Sequence, residues 1–134
     1  NLVLIIPTAD LYHFGILTSS VHNAWMRAVC GRLKSDYRYS KDVYSNFPWP
    51  TVTDADRAKI EATAQAILDA REAYPDSSLA DLYDAAAMPP ELRRAHSRND
   101  AAVLRLYGLP ADTPEPTIVA HLMNLYKELT RANI

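Results

Sequence analysis

The spacing of apolar residues changes near residue 50 of this 134-residue chain, and only the part after it has a uniform helical pattern. Before that point, an apolar run at residues 2–6 is typical of a buried strand or of the end of a helix. Further along, apolar residues at intervals of four place Val21, Trp25 and Val29 on one face of a helix. The N-terminal part therefore combines helical and strand-like signals.

Small residues mark both limits of this predicted helix. Ser19 or Ser20 can cap its N-terminus, because a serine hydroxyl accepts a hydrogen bond from the first backbone N–H groups of a helix. A phosphate bound at the same N-terminus is an alternative interpretation of the two serines. Gly31 suits the position just after the C-terminus.

Residues 32–39 have a period of two. In an extended chain, alternate side chains point to opposite faces, so one face would be charged and the other largely aromatic and apolar. The charged face consists of Arg32, Lys34, Asp36 and Arg38, and the opposite face of Leu33, Ser35, Tyr37 and Tyr39. The pattern predicts a short strand here.

Residues 47–50 read Phe-Pro-Trp-Pro. They must be extended, because a proline disfavours the helical conformation in the residue before it. We interpret this segment as a pinned linker whose two aromatic rings dock into neighbouring grooves, and as a domain boundary. The predicted domains are residues 1–50 and residues 51–134.

Helical signals follow one another after this boundary. Thr53 and Ser78 can cap helices, while Pro90 and Pro116 suit a first helical turn. A break in the third of these helices is allowed near residues 97–99. The predicted fold is mainly α, with a C-terminal helical bundle preceded by a small mixed α/β segment.

Charge is distributed unevenly along the chain. The formal net charge is −2, which does not by itself indicate a nucleic-acid partner. Between Arg27 and Asp42, however, five basic residues stand against two acidic ones. A basic patch on an acidic body can mark contact with a polyanion.

The sequence contains no recognisable catalytic constellation. Its three glycines are too scattered for a phosphate-binding loop, and its four histidines lack metal-ligand spacing. The single cysteine excludes an internal disulfide and suits a reducing compartment, so we expect a cytoplasmic protein. The apolar run at residues 2–6 is too short to cross a bilayer, and no membrane partner is expected.

The first residue is not methionine and stands beside this apolar run. We therefore expect a piece of a larger protein. An apolar N-terminus could pair with a second copy, which would make the isolated chain a dimer.

Three longer motifs resemble one known family: FGILTSSVHNAWMRAVCGRLKSDYRYSKDVYSNFPWP, SLADLYDAAAMPPELRRAH and NDAAVLRLYG. They are similar to the C-terminal end of the MmeI-like DNA methyltransferases and type IIL restriction–modification enzymes. The first motif matches the end of the family's target recognition domain, and the other two match its C-terminal helical domain. The mixed α/β segment would then be a remnant of the recognition domain.

The resemblance implies a bacterial parent enzyme that methylates adenine N6 with S-adenosylmethionine and is in some members fused to an endonuclease. The family's Asn-Pro-Pro-Tyr catalytic motif does not occur in this chain. We therefore expect no active site and no cofactor in this fragment. Its implied partners are double-stranded DNA and the methyltransferase domain of the same polypeptide.

The resemblance also implies roles for residues 32–41. Lys34 and Asp36 align with two family residues, spaced i and i+2, that help to specify one base pair. Lysine donates to guanine O6 or N7, and aspartate accepts from cytosine N4, so the two could read one G·C pair. The predicted phosphate contacts are Arg32, Arg38, Tyr39, Ser40 and Lys41.

Two alternatives stand beside this interpretation. Lys34 and Asp36 could simply face water on an edge strand, and Tyr37 and Tyr39 could pack beneath it. The helical bundle after Thr53 could be a purely structural scaffold that braces the methyltransferase and contacts little DNA, as its acidic excess favours.

Overall fold

The computed structural model describes the backbone of residues 11–32 and 47–132, and the side chains of residues 11–29 and 47–129. Six helices and no strand occur in these ranges. The helices are α1 (Leu11–Leu17), α2 (Ser20–Arg32), α3 (Asp54–Glu72), α4 (Leu79–Leu82), α5 (Pro90–Leu106) and α6 (Glu115–Ala132). The prediction of a mainly α fold is confirmed.

The mixed α/β character predicted before residue 50 is not supported. In that segment residues 11–32 form two helices, and α2 continues through Gly31 to Arg32 instead of ending before Gly31. A glycine near a helix end costs only about 1 kcal/mol relative to alanine, which the burial of Trp25 and Val29 on α2 outweighs. The strand or helix end predicted at residues 2–6 lies outside the described residues, as does the strand predicted at residues 32–39 except for Arg32, which ends α2.

Helix α1 forms over a stretch for which the sequence predicted no element. It buries Leu11, Tyr12 and Ile16, and its glycine makes close packing possible. A Cβ atom at Gly15 would lie 2.6 Å from Cγ2 of Ile60 and 3.3 Å from Cβ of Ala64. Only glycine therefore allows α1 to approach α3 this closely.

The helix starts after residue 50 follow the predicted caps. The Thr53 hydroxyl accepts from the Asp56 N–H at 3.1 Å, and the Asp56 carboxylate accepts from the Thr53 N–H at 3.2 Å, which completes a capping box. The Ser78 hydroxyl caps α4, and Pro90 is the first residue of α5. Gly108, with φ of +74°, follows the end of α5.

Helix α5 runs without the break that the sequence allowed near residues 97–99. Asn99 is fully buried where an apolar residue would be expected. Its side-chain amide donates to the Gly15 carbonyl at 2.8 Å, and its oxygen accepts from the Thr63 hydroxyl at 2.7 Å. This asparagine therefore joins α1, α3 and α5 through hydrogen bonds rather than interrupting α5.

One apolar core connects the helices on both sides of residue 50. Its buried members come from α1, α2, residue 47, α3, α5, Tyr107 and α6: Tyr12, Ile16, Val21, Ala24, Trp25, Val29, Phe47, Ile60, Val103, Leu104, Tyr107, Ile118 and Leu122. A second cluster packs α4 against α3 and α5 through Ile67, Leu82, Leu92 and Ala95. Packing is thus continuous across the position at which the sequence predicted a domain boundary.

Candidate nucleic-acid interface

The structure describes the two flanks of the predicted DNA-reading segment. Lys34, Asp36 and the phosphate-contact residues Arg38, Tyr39, Ser40 and Lys41 lie outside the described residues. Arg32 is the last residue of α2, and its side chain is likewise outside them. Helix α2 ends at residue 32 and the described chain resumes at residue 47, so the structure describes the residues on both sides of the predicted segment.

The start of α2 is capped by a buried serine. Ser19 is fully buried, and its hydroxyl accepts from the His22 N–H at 3.3 Å while donating to the Ile16 carbonyl at 2.7 Å. The same side chain thereby satisfies a donor of α2 and an acceptor of α1. The prediction of a serine cap is confirmed, with Ser19 as the residue.

A carboxylate from α5 holds the neighbouring backbone N–H. The N–H of Ser20 donates to the Asp100 carboxylate at 2.8 Å. Burial raises the pKa of the Asp100 carboxyl, and the hydrogen bond from Ser20 opposes that shift in part. The positive end of α2 is therefore bound to a protein side chain rather than open to a phosphate group.

Replacing Asp100 by asparagine should leave the free energy of unfolding at pH 7 unchanged or slightly higher. Asparagine keeps the oxygen that accepts from Ser20 and removes a charge that burial disfavours. Asp100→Ala should cost about 1–2 kcal/mol, because the N–H at this helix start loses its acceptor. Urea unfolding of both variants checks this, and equal losses would show that the hydrogen bond contributes little.

The same pair of variants tests the sign of the pH dependence. Because the pKa of Asp100 is higher in the folded chain than in the unfolded chain, its contribution to stability is greatest at low pH. That contribution is lost as the pH rises through the raised pKa. The wild type should show this loss relative to Asp100→Asn, whose amide does not titrate.

Trp25 anchors α2 to the bundle. Its side chain is fully buried, and its ring centroid lies 6.0 Å from that of Phe47 and 5.9 Å from that of Tyr126 on α6. Trp25 thus contacts two elements. One is Phe47, the first described residue after the predicted DNA-reading segment, and the other is α6, the last helix.

Arg27, one of the five basic residues between Arg27 and Asp42, is paired within the protein. Its guanidinium makes two hydrogen bonds to the Glu115 carboxylate, of 2.6 and 3.1 Å. The hydrogen bond lowers the pKa of Glu115. One of the five basic residues between Arg27 and Asp42 is therefore paired with a carboxylate of α6.

Residues 47–50 form a strap that crosses the bundle. Phe47 and Pro48 are buried, and the Phe47 ring packs edge-on against His22 and Trp49. The buried Tyr107 hydroxyl donates to the Pro48 carbonyl at 2.7 Å, and burial raises the pKa of Tyr107. The Pro48 carbonyl lies outside any helix. The hydroxyl of Tyr107, the residue just after α5, therefore supplies its hydrogen-bond donor.

The predicted docking of the two aromatic rings is confirmed for Phe47. Trp49 is 40% exposed, although its ring contacts that of His13 at 5.4 Å. The strap therefore has one buried ring and one ring that is partly open to solvent.

Titratable residues also cluster beside α4, away from the predicted interface. The Arg71 guanidinium lies over the rings of Phe14 and Tyr83, and it donates to the Tyr83 hydroxyl, which also contacts His96 Nε2. Burial, with a smaller effect from Arg71, lowers the pKa of His96 to about 4. His96 is therefore neutral at pH 7 and packs α4 against the bundle.

Two features are absent from residues 11–32 and 47–132. The described histidines and carboxylates form no group of three or more that could hold a metal ion. None of the described helices combines the length and apolar character that crossing a bilayer requires.

The structure reveals contacts that local sequence patterns did not predict. Asp100, Asn99 and Tyr107 all lie in the conspicuous stretch NDAAVLRLY, where two polar residues interrupt a helical apolar pattern. Polar side chains on a buried helix face need partners, and that is the signal that could have identified them. Their partners are 36 to 84 residues away in sequence.

Comparison with known proteins assigns the two parts of the chain. Residues 1–51 match the family model of the MmeI target recognition domain, and residues 52–133 match that of the MmeI C-terminal domain. DNA methyltransferase A of Bacillus subtilis (strain 168) is 40% identical over 131 residues. That alignment covers 97% of this chain and 15% of the relative.

A solved structure is similar as well. A chain of the type IIL restriction–modification enzyme MmeI, determined in complex with DNA, superposes with a TM-score of 0.81 at 45% identity. The match covers 93% of this chain and 17% of that one, so the chain spans less than a fifth of either relative. The chain belongs to the MmeI family of restriction–modification methyltransferases, with residues 1–51 in its target recognition domain and residues 52–133 in its C-terminal domain.

Proposed function

We propose that this chain selects the DNA sequence on which a larger methyltransferase acts. The observation that carries the proposal is the match of residues 1–51 to a target recognition domain, together with a related enzyme solved in complex with DNA. The described geometry supports it, because α2 and the strap of residues 47–50 are both built into the rigid core. The core thereby holds in place the residues on both sides of the proposed reading segment.

Lys34 and Asp36 would read one base pair in the major groove. A lysine donates to guanine O6 or N7, and an aspartate accepts from cytosine N4 on the opposite strand. A good match of this kind contributes about 1–3 kcal/mol of discrimination against the wrong pair.

Neighbouring residues would hold the DNA backbone in register. Cationic and hydroxyl side chains contact phosphates without reading sequence. The proposed contacts are Arg32, Arg38, Tyr39, Ser40 and Lys41.

Catalysis would belong to the rest of the polypeptide, which would supply S-adenosylmethionine and transfer its methyl group to adenine N6. Double-stranded DNA and that methyltransferase domain are the proposed partners, in the bacterial cytoplasm. The division into a recognition part, residues 1–50, and a helical part, residues 51–134, belongs to the same proposal.

The test exchanges the two base-reading side chains in the full gene product that contains this chain. Lys34→Glu combined with Asp36→Arg should exchange G for C at one position of the methylated sequence, because donor and acceptor change places. Sequencing of methylated DNA reads the outcome directly. An unchanged methylated sequence in an active variant would eliminate these residues as base readers.

Arg38→Ala is the matched control for this exchange. It removes a charge from the same segment, and we expect lower methylation at an unchanged sequence, since phosphate contacts do not distinguish bases. A new sequence preference in this control would contradict the proposed division of roles.

A second candidate function is a structural scaffold for the methyltransferase. The continuous core favours it, as does Asp100, which occupies the start of α2. On this alternative, the exchange at Lys34 and Asp36 leaves the methylated sequence unchanged, whereas disrupting the core abolishes methylation of every site.

A further inference from the structure

Helix α5 presents a row of arginines to solvent. Arg94, Arg98 and Arg105 are all exposed. At 3.6 residues per turn, their positions lie within about 40° of one another around the helix axis, and they extend along about 16 Å. We refer to these three residues as the basic stripe.

The packing of α5 fixes the outward direction of the stripe. The opposite face of the helix is buried in the core through Leu92, Asn99 and Val103. The edge of the stripe borders α3, because Arg105 and Lys59 line the same shallow depression of about 120 Å³. A fourth cation, Lys59, thus extends the positive surface onto α3.

Small side chains lie beside these cations. On α3, Ala62, Ala66 and Ala70 follow Lys59 along the edge that borders α5, according to their helical spacing. On α5, Ala101 and Ala102 lie between Arg98 and Arg105. Because the neighbouring side chains are short, the guanidinium groups extend beyond them. The backbone of a polymeric ligand can therefore come close to the guanidinium groups.

Three carboxylates on α3 and α5 make local hydrogen bonds but keep their negative charge. Asp56, at the Arg105 end, belongs to the capping box with Thr53. Glu91, at the Arg94 end, accepts from the Tyr74 hydroxyl. On α3, Asp69 accepts from the Gln65 amide.

Two members of the stripe have no acidic partner within the described part of the chain. Neither Arg98 nor Arg105 forms an ion pair or a side-chain hydrogen bond there. Arg94, Arg98, Arg105 and Lys59 outnumber the two carboxylates beside them, Asp56 and Glu91, and such an excess of positive charge attracts a polyanion. Duplex DNA, with one negative charge per about 1.7 Å of axis, offers such a row of acceptors, and arginine binds phosphate in a bidentate manner.

We infer that the basic stripe binds the phosphate backbone of the DNA, so that the C-terminal helical domain contributes a second, sequence-independent contact. The inference rests on the proposed function, since it takes DNA as the partner. It adds a DNA-binding role for a domain that the scaffold alternative leaves without one. The stripe would increase affinity for every sequence and leave the choice of sequence to residues 32–41.

The test measures the salt dependence of DNA binding by the full gene product. The double variant Arg98→Gln with Arg105→Gln should lower the slope of log affinity against log salt concentration by about 2, since each lost phosphate contact removes about 0.9. The methylated sequence should stay the same. Titration of one fixed duplex at several salt concentrations gives the slope, and sequencing gives the specificity.

Two further variants serve as controls. Arg93→Gln removes the same charge from the same helix, but Arg93 is directed elsewhere and contacts the Ala85 carbonyl at 3.4 Å. Its slope should equal that of the wild type. Arg98→Lys with Arg105→Lys keeps both charges and should restore the slope, which separates lost charge from a damaged fold.

Each outcome bears on one proposal. A wild-type slope in the double Gln variant would overturn the inference, and a loss of affinity that is equal at all salt concentrations would point to docking against another protein surface. An equal change in Arg93→Gln would also overturn it. If the wild type shows no sequence preference in binding or methylation, the proposed function fails instead.

Discussion

Replacing Trp25 by alanine should lower the free energy of unfolding by about 4 kcal/mol. The indole is fully buried beside Phe47 and Tyr126, and the surroundings of a deleted core side chain relax only in part. The loss combines the transfer free energy of a large apolar group with the cost of a cavity. Urea unfolding, followed by circular dichroism of the helices, measures the change.

The chain contains its own control in its second tryptophan. Trp49 is 40% exposed, so Trp49→Ala should cost about 2 kcal/mol, in proportion to the smaller buried area. Similar losses in the two variants would mean that the contacts of Trp25 do not define the core. Trp25→Phe should fall between them, because it keeps an aromatic ring in the same space.

Trp25 also connects stability to recognition. It contacts Phe47, the first described residue after the proposed DNA-reading segment, and it lies on the helix that precedes that segment. A variant that loosens this contact would weaken the packing of both flanking elements. In the full enzyme we therefore expect Trp25→Ala to reduce methylation at temperatures where the wild type retains full activity.

Sequence patterns predicted the helices whose limits depend on neighbouring residues. Thr53, Ser78 and Pro90 act within one turn of their own positions, so their roles can be identified from local spacing. Helix α1 was missed because a glycine inside a short apolar run normally weakens a helix. Its reason is tertiary: Gly15 lies against Ile60, which is 45 residues later in the chain.

The candidate site was predicted on a different basis. Family motifs, rather than periodicity, singled out Lys34 and Asp36, and these assignments remain proposals. Local reasoning also left a phosphate at Ser19 and Ser20 as an alternative. The carboxylate that binds this helix start is Asp100, 80 residues away. The polar pair at residues 99 and 100 indicates that partners are needed, but no local pattern identifies Ser20 as the partner of Asp100.

The second large effect is expected at Asn99, where alanine should lower the free energy of unfolding by about 3 kcal/mol. The loss arises mainly at the Gly15 carbonyl, near the C-terminus of α1, which accepts from the Asn99 amide. Removal of that donor leaves a buried acceptor unsatisfied. The Thr63 hydroxyl suffers less, because the Ile60 carbonyl lies 3.1 Å away as another acceptor.

Asn23→Ala is the matched control for this substitution, since Asn23 is an exposed asparagine on α2. Its effect should stay within about 0.5 kcal/mol, as is usual for surface positions. Thermal or urea unfolding of both variants measures the difference. Equal effects at Asn99 and Asn23 would show that the bridge between α1, α3 and α5 contributes nothing measurable.

Asn99→Asp adds a pH test of the same bridge. A carboxylate can still accept from Thr63, but it cannot donate to the Gly15 carbonyl, and its charge would be buried. Burial should raise the pKa of the introduced carboxyl in the folded chain, so its destabilising effect should grow as the pH rises through that pKa. At low pH, where the protonated carboxyl can donate to Gly15, the variant should approach wild-type stability. A pH-independent loss would mean that the side chain at position 99 reaches solvent, and the hydrogen-bonded junction of the three helices would then not account for the continuity of α5.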